Sequence, residues 1–109
     1  SRGQLLYYRG IYRLARGQDA LEDISGAIGD FSSALKISVS GRTSGARARA
    51  QLTLADLLEK KGELEEAVQL LTDAGDSLRT AFELNKSLEA EFAGEAAEIK
   101  KRLAKLAPK

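Results

Sequence analysis

Apolar residues return every three or four positions along most of the chain, with polar residues between them. That spacing gathers them on one side of an α-helix, so the pattern predicts helices rather than strands. The first helix is expected over residues 4–16, where Leu5, Leu6, Tyr8, Ile11, Tyr12 and Ala15 recur at helical spacing. Gly17 is expected to stop it, as a glycine in the left-handed conformation does. Asp19 is expected to cap a second helix over residues 19–38. Its Leu21, Ile24, Ile28, Phe31 and Leu35 step by three or four, with Ala27 and Ala34 on nearby faces. Gly26 and Gly29 each weaken that helix by about 1 kcal/mol relative to alanine, which leaves room for a kink or break near them.

Residues 38–45, Ser-Val-Ser-Gly-Arg-Thr-Ser-Gly, read as the clearest loop. A third helix is expected from about residue 46 to 61, on Ala50, Leu54, Leu57 and Leu58, with Gly62 as its stop. A fourth, over 63–84, carries Leu64, Ala67, Leu70, Leu71, Ala74, Leu78, Ala81 and Phe82. The last, over 86–106, shows Leu88, Phe92, Ile99, Leu103 and Leu106 against a heavily charged opposite face. Acids precede bases along that face, which suits the helix dipole. The expected fold is all-α, about five helices in one domain over residues 1–109.

Composition narrows the function. With 109 residues and 43% apolar content the chain can fill one modest core, but not a core and a deep substrate cavity. It has no cysteine and no histidine. That removes disulfides, thiol nucleophiles, thiolate metal sites and the commonest general base and metal ligand together. No motif points to Ser-Lys or two-carboxylate chemistry, so no enzyme activity, no cofactor and no metal are expected. Glu63, Glu65 and Glu66 with Asp56 and Glu59 form an acidic cluster whose spacing matches no calcium loop. No apolar run reaches the roughly 20 residues that span a bilayer. The chain lacks methionine, initiator included, so it is expected to be a fragment or processed product of a longer protein. Its compartment is not readable; a soluble, cytoplasmic setting is the default expectation.

The chain also resembles itself. Gly10 and Gly17 correspond to Ala55 and Gly62 at a period of 45 residues, and Ala27 and Ala34 correspond to Ala67 and Ala74. Such self-similarity marks stacked helical hairpins, in which small residues let helices approach and a glycine makes the turn. The segments Tyr7-Tyr8-Arg9-Gly10-Ile11-Tyr12, Ala27 to Ile37, and Leu54-Ala55-Asp56-Leu57-Leu58 to Ala67, Leu71 and Ala74 resemble the tetratricopeptide repeat family. The resemblance covers residues 5–75 and implies a short α-solenoid: repeat one over 4–38, repeat two over 46–84, and a capping helix over 86–106. Two departures accompany it. The family period is 34 rather than 45, and Gly17 lies ten residues before Ala27 where Gly62 lies five before Ala67. The asparagines of the family's carboxylate clamp are also missing, their positions reading Tyr8, Ile11, Thr53 and Asp56.

The resemblance implies a protein–protein interaction module with a groove lined by the first helix of each repeat. Its candidate lining is Gln4, Tyr7, Tyr8, Ile11 and Leu14 with Arg49, Leu52, Thr53, Asp56 and Lys60. Arg2, Arg9, Arg13 and Arg16 share one face beside Tyr8 and Tyr12, a basic aromatic stripe suited to an acidic peptide or a phosphate backbone. The plainer reading is a solvated face, partly paired with Asp19, Glu22 or Asp23. Residues 1–54 hold eight Lys/Arg and four Asp/Glu, and residues 55–109 nine and twelve. That mild asymmetry lacks the uniform basicity of a nucleic-acid domain, so nucleic acid is not the expected partner. The alternative is an assembly element that self-associates through 86–106 or docks in a larger complex, a ribonucleoprotein scaffold included. The apolar residues of 86–106 discriminate: buried on the fourth helix they make a cap, exposed they make a seam.

Overall fold

The computed structural model describes residues 1–16 and 20–106. Through them run α1 (Arg2–Arg16), α2 (Leu21–Ile37), α3 (Gly41–Lys60), α4 (Leu64–Leu84), α5 (Leu88–Glu91) and α6 (Ala93–Leu106). The chain is all-α, with no strand among the described residues. The stop expected at Gly17 and the cap expected at Asp19 lie outside the described residues. Helix α1 packs along α2, α2 on α3, α3 along α4, and α6 on α4, whereas α1 scarcely meets α3. The result is a slab of 43 × 30 × 19 Å.

The turn at Gly62 forms as expected. Gly62 has φ of 83°, a left-handed value that glycine adopts without strain. The Glu63 amide donates to the Leu58 carbonyl at 2.9 Å and the Gly62 amide to Glu59 at 2.9 Å, closing a Schellman motif. Two other expectations are corrected. Residues 38–45 are not a loop. Ser40 is an N-cap whose side chain accepts from the Thr43 amide at 3.3 Å, so α3 begins at Gly41. Its glycines serve packing rather than a turn, as described below. Helix α2 runs unbroken through Gly26 and Gly29. The segment 86–106 is not one helix: it divides at Phe92, between α5 and α6.

The core holds few large side chains and many alanines. One cluster joins Ile24, Ala27 and Phe31 of α2 to Ala46 and Ala50 of α3. A second joins α3 and α4 to Leu88, Phe92 and Ile99. Leu54 packs against both. Of the residues equated by the internal repeat, Gly10 and Ala55, Ala27 and Ala67, and Ala34 and Ala74 are buried in both copies. Two phenyl rings act as wedges, each seated on a glycine of another helix. A Cβ on Gly10 would come within 2.6 Å of Phe31, and a Cβ on Gly45 within 2.5 Å of Phe92. Polar atoms inside the stack are partnered. Ser44 Oγ donates to the Ser77 carbonyl, Ser77 Oγ to Gln51, and the Arg47 fork to Ser77 Oγ and Ser32 Oγ. Burial pushes the Arg47 guanidinium below its ordinary pKa, with Asp73 acting against it.

The glycine seats predict opposite signs for one substitution. Overpacking costs about 1–3 kcal/mol, against roughly 1 kcal/mol that alanine regains in a helix. Gly10→Ala and Gly45→Ala are expected to lower the urea midpoint. Gly29→Ala, with nothing within 4 Å of its Cβ, is expected to raise stability by about 1 kcal/mol. Equal shifts at all three positions would mean that the rings move aside.

Candidate interaction surface on the first helix

Helix α1 turns its small residues inward. Gly3 and Gly10 are buried, with Tyr7 and Leu14 packed beside them on the α2 cluster. The larger apolar residues of its other face meet solvent. Leu5 is 72% exposed, Tyr8 65% and Tyr12 55%, with Ile11 at the edge. The reason is steric: Phe31 fills the space over Gly10, so α1 meets α2 through its glycine face, with Tyr7 and Leu14 beside the glycines. Tyr7 meets Tyr8 edge-on at 5.3 Å and leans on Phe31 at 6.0 Å.

Beside α1 lies a trough. One hollow is lined by Ser1, Gly3, Gln4, Tyr7 and Tyr8 with Ala34, Ser38, Ser40, Arg42 and Thr43. The next is lined by Tyr7, Ile11, Leu14, Ala15, Arg42, Ala46, Arg49 and Phe92. They share Tyr7 and Arg42, so they form one continuous surface between α1 and α3.

The arginine stripe is partly committed within the fold. Asp30, with a side chain only 5% exposed, accepts both arms of the Arg9 fork at 2.8 and 3.1 Å and meets Arg13 at 3.2 Å. That pairing raises the Arg9 pKa, chiefly by the hydrogen bond. The partner is therefore Asp30, not Glu22 or Asp23; Asp19 lies outside the described residues. Among the described residues no carboxylate pairs with Arg2 or Arg16, and the Arg16 guanidinium lies 5.7 Å from the Tyr12 ring centre.

The structure divides the candidate lining from α3. Arg49 reaches the trough, where its fork pairs with Glu95 at 2.6 Å and lies over the Phe92 ring at 4.3 Å. Leu52 packs on the larger core cluster, and Thr53 Oγ1 donates to the Arg49 carbonyl. Asp56 pairs with Lys60 and Arg102, in a separate hollow with Glu59, Glu98, Lys101 and Lys105. Leu52, Thr53, Asp56 and Lys60 therefore do not line the trough that Tyr7, Tyr8, Ile11 and Arg49 share. Sequence reasoning missed Arg42, Ala46 and Phe92, which line it with them. Arg42 and Ala46 fell within or beside the supposed loop, and Phe92 lies far along the chain from Arg49, which stands over its ring, so no local signal marked them.

Leu88, Phe92 and Ile99 are buried against α3 and α4. The apolar residues offered for a self-association seam over 86–106 are thus spent inside the chain. Ion pairs hold this segment to α3: Arg42 with Glu91 in a two-armed contact, Arg49 with Glu95, and Arg102 with Glu59. Hydrogen bonds from Arg42 and Arg102 hold the Glu91 and Glu59 carboxyls below their ordinary pKa, against a smaller effect of burial.

These shifts give a pH dependence. A carboxyl whose folded pKa is depressed stabilises the fold above its unfolded value of about 4.3 and loses that contribution as pH falls through the folded value. Docking of α5 and α6 is expected to weaken as pH falls below about 4. Urea midpoints at pH 6 and pH 3 check this: the drop should be smaller for the Glu59→Gln, Glu91→Gln double variant than for the parent chain.

The class these features define is an all-α stack of helical hairpins with an exposed apolar and basic first helix. Among the described residues no helix is long and apolar enough to cross a membrane. None of their acidic residues group so as to hold a metal ion. The chain matches no protein-family model, no curated protein and no solved structure.

Proposed function

We propose that this chain is a protein–protein interaction module of tetratricopeptide-like build, whose binding surface is the trough between α1 and α3. The observation that carries the reading is the row of exposed apolar side chains on α1 directly beside that trough. Four large apolar residues on one 15-residue helix, with Ile37 and Val39 exposed nearby, exceed the scattered singles of an ordinary surface. The burial of equivalent small residues in both halves supports the repeat reading. The α5–α6 segment then serves as the cap that closes the far end of the stack.

Self-association through 86–106 is disfavoured, because its apolar residues pack inward. A phosphate-binding stripe is disfavoured too, because Arg9 and Arg13 are held by Asp30.

The test is a photocrosslinker in place of Tyr8, compared with one in place of the exposed Thr72 of α4. Discrete crosslinked protein is expected only from position 8. Affinity of the identified partner for the Tyr8→Ser, Tyr12→Ser variant should fall by about 2 kcal/mol, as at an interface hot spot. Fold stability should change by less than about 0.5 kcal/mol, since both rings are exposed. Identical crosslinks from both positions would overturn the reading.

A further inference from the structure

We propose that the α1 flank takes an amphipathic helix of a partner protein, seated on Leu5, Tyr8, Ile11 and Tyr12 and bearing acidic residues along the edge that meets Arg2, Arg9 and Arg16. This rests on the trough being a binding surface, and it names the occupant.

Charge defines the edges. Residues 1–16 contain four arginines and no acidic residue. At helical spacing Arg2, Arg9 and Arg16 run along the outer side of the apolar row, next to Leu5 and Tyr12. Arg42 and Arg49 stand on the opposite side, across the trough. Arg42 and Arg49 are each balanced by a glutamate, so the uncompensated charge lies on α1. Arg2 and Arg16 lack a carboxylate among the described residues, and two arginines on Asp30 leave one positive charge over. Arginine forks pair in two-armed fashion with carboxylates, so the partner they favour is acidic.

Backbone chemistry favours a helix over an extended strand. An extended peptide must find partners for its own N–H and C=O groups where it loses water. The α1 backbone is consumed by its own helix, and the side chains between Tyr8 and Tyr12 are apolar or basic. A helix brings its backbone already satisfied. The apolar row at positions 5, 8 and 12 has the three-and-four spacing that meets another helix face. At about 1.5 Å per residue, α1 offers roughly 22 Å, enough for four turns of partner.

The chain carries its own precedent. The Phe92 ring seats on the glycine notch at Gly45 while Glu91 reaches Arg42 and Glu95 reaches Arg49. An apolar anchor flanked by carboxylates on arginines is how the α5–α6 segment docks on α3. On α1 the arginines recur beside an apolar row, and among the described residues no acidic helix of this chain packs on that flank.

The experiment is selection of a display library of random 16-residue peptides on the intact chain at low salt. The expected winners carry apolar residues at three- and four-residue spacing with Asp or Glu between them. Their affinity should fall at least tenfold for the Tyr8→Ser, Tyr12→Ser variant and severalfold for Arg2→Gln, Arg16→Gln. It should also weaken as salt rises. Proline-rich or basic winners that still depend on Tyr8 and Tyr12 would overturn the acidic helix while leaving the trough as the binding surface. Winners indifferent to Tyr8 and Tyr12, or no winners at all, would overturn both. Sedimentation with phosphatidylserine vesicles that requires Tyr8 and Tyr12, in a chain that selects no peptide, would assign this flank to a lipid surface instead.

Discussion

The stack depends on two aromatic rings that sit on glycines. Phe31 of α2 occupies the space over Gly10 of α1, and Phe92 occupies the space over Gly45 of α3. Each ring is almost wholly buried, and each supplies the bulk that an otherwise alanine-rich interior lacks. An interior close-packed in this way leaves no room for a methyl group at either seat. The rings therefore fix how closely the outer helices approach and about which line they pack. The exposed face of α1 follows: once Gly3 and Gly10 face inward, Leu5, Tyr8 and Tyr12 on the opposite side face out.

Electrostatics then locks what the rings position. Asp30 is a buried carboxylate that draws two arginines of α1 onto α2. Removing one partner from such a cluster leaves a charge without compensation, which is costly where water is scarce. At the other end of the stack, Arg42, Arg49 and Arg102 each take a carboxylate across a helix boundary. Those pairs are more exposed, so they orient the α5–α6 segment more than they stabilise it. The anchoring belongs to Leu88, Phe92 and Ile99. Between the two ends, Ser77 ties Ser44, Arg47 and Gln51 into one polar network inside the helix stack.

Much of this fold is legible in the residue order. The helices of residues 46–84, their stop at Gly62 and the buried alanines of α4 follow from period and punctuation alone. The failures share a cause. Gly41, Thr43, Ser44 and Gly45 look like loop residues because their usual role is to free or cap the backbone. Here Ser40 alone is the cap, and the residues after it are small because Phe92, Leu88 and α4 come close. Gly26 and Gly29 likewise leave room for a kink, yet the helix persists because Ile24, Ala27 and Phe31 on its inner face hold it against α3. On α1 the periodicity reports that the helix has an apolar face, not which face another helix covers.

The sequence by itself determined the helical class, the hairpin periodicity and the absence of histidine or cysteine chemistry, because local propensity and spacing act within a few turns. Only the tertiary structure decided which residues meet: Phe31 with Gly10, Arg9 with Asp30, Phe92 and Glu91 with α3. Those partners lie 21 to 49 residues apart, and helix–helix contacts are selected by shape and charge complementarity across that distance. The exposed face of α1 is the clearest consequence. Its composition is written in residues 5–12, but its exposure comes from a ring that α2 delivers to the opposite side of the helix.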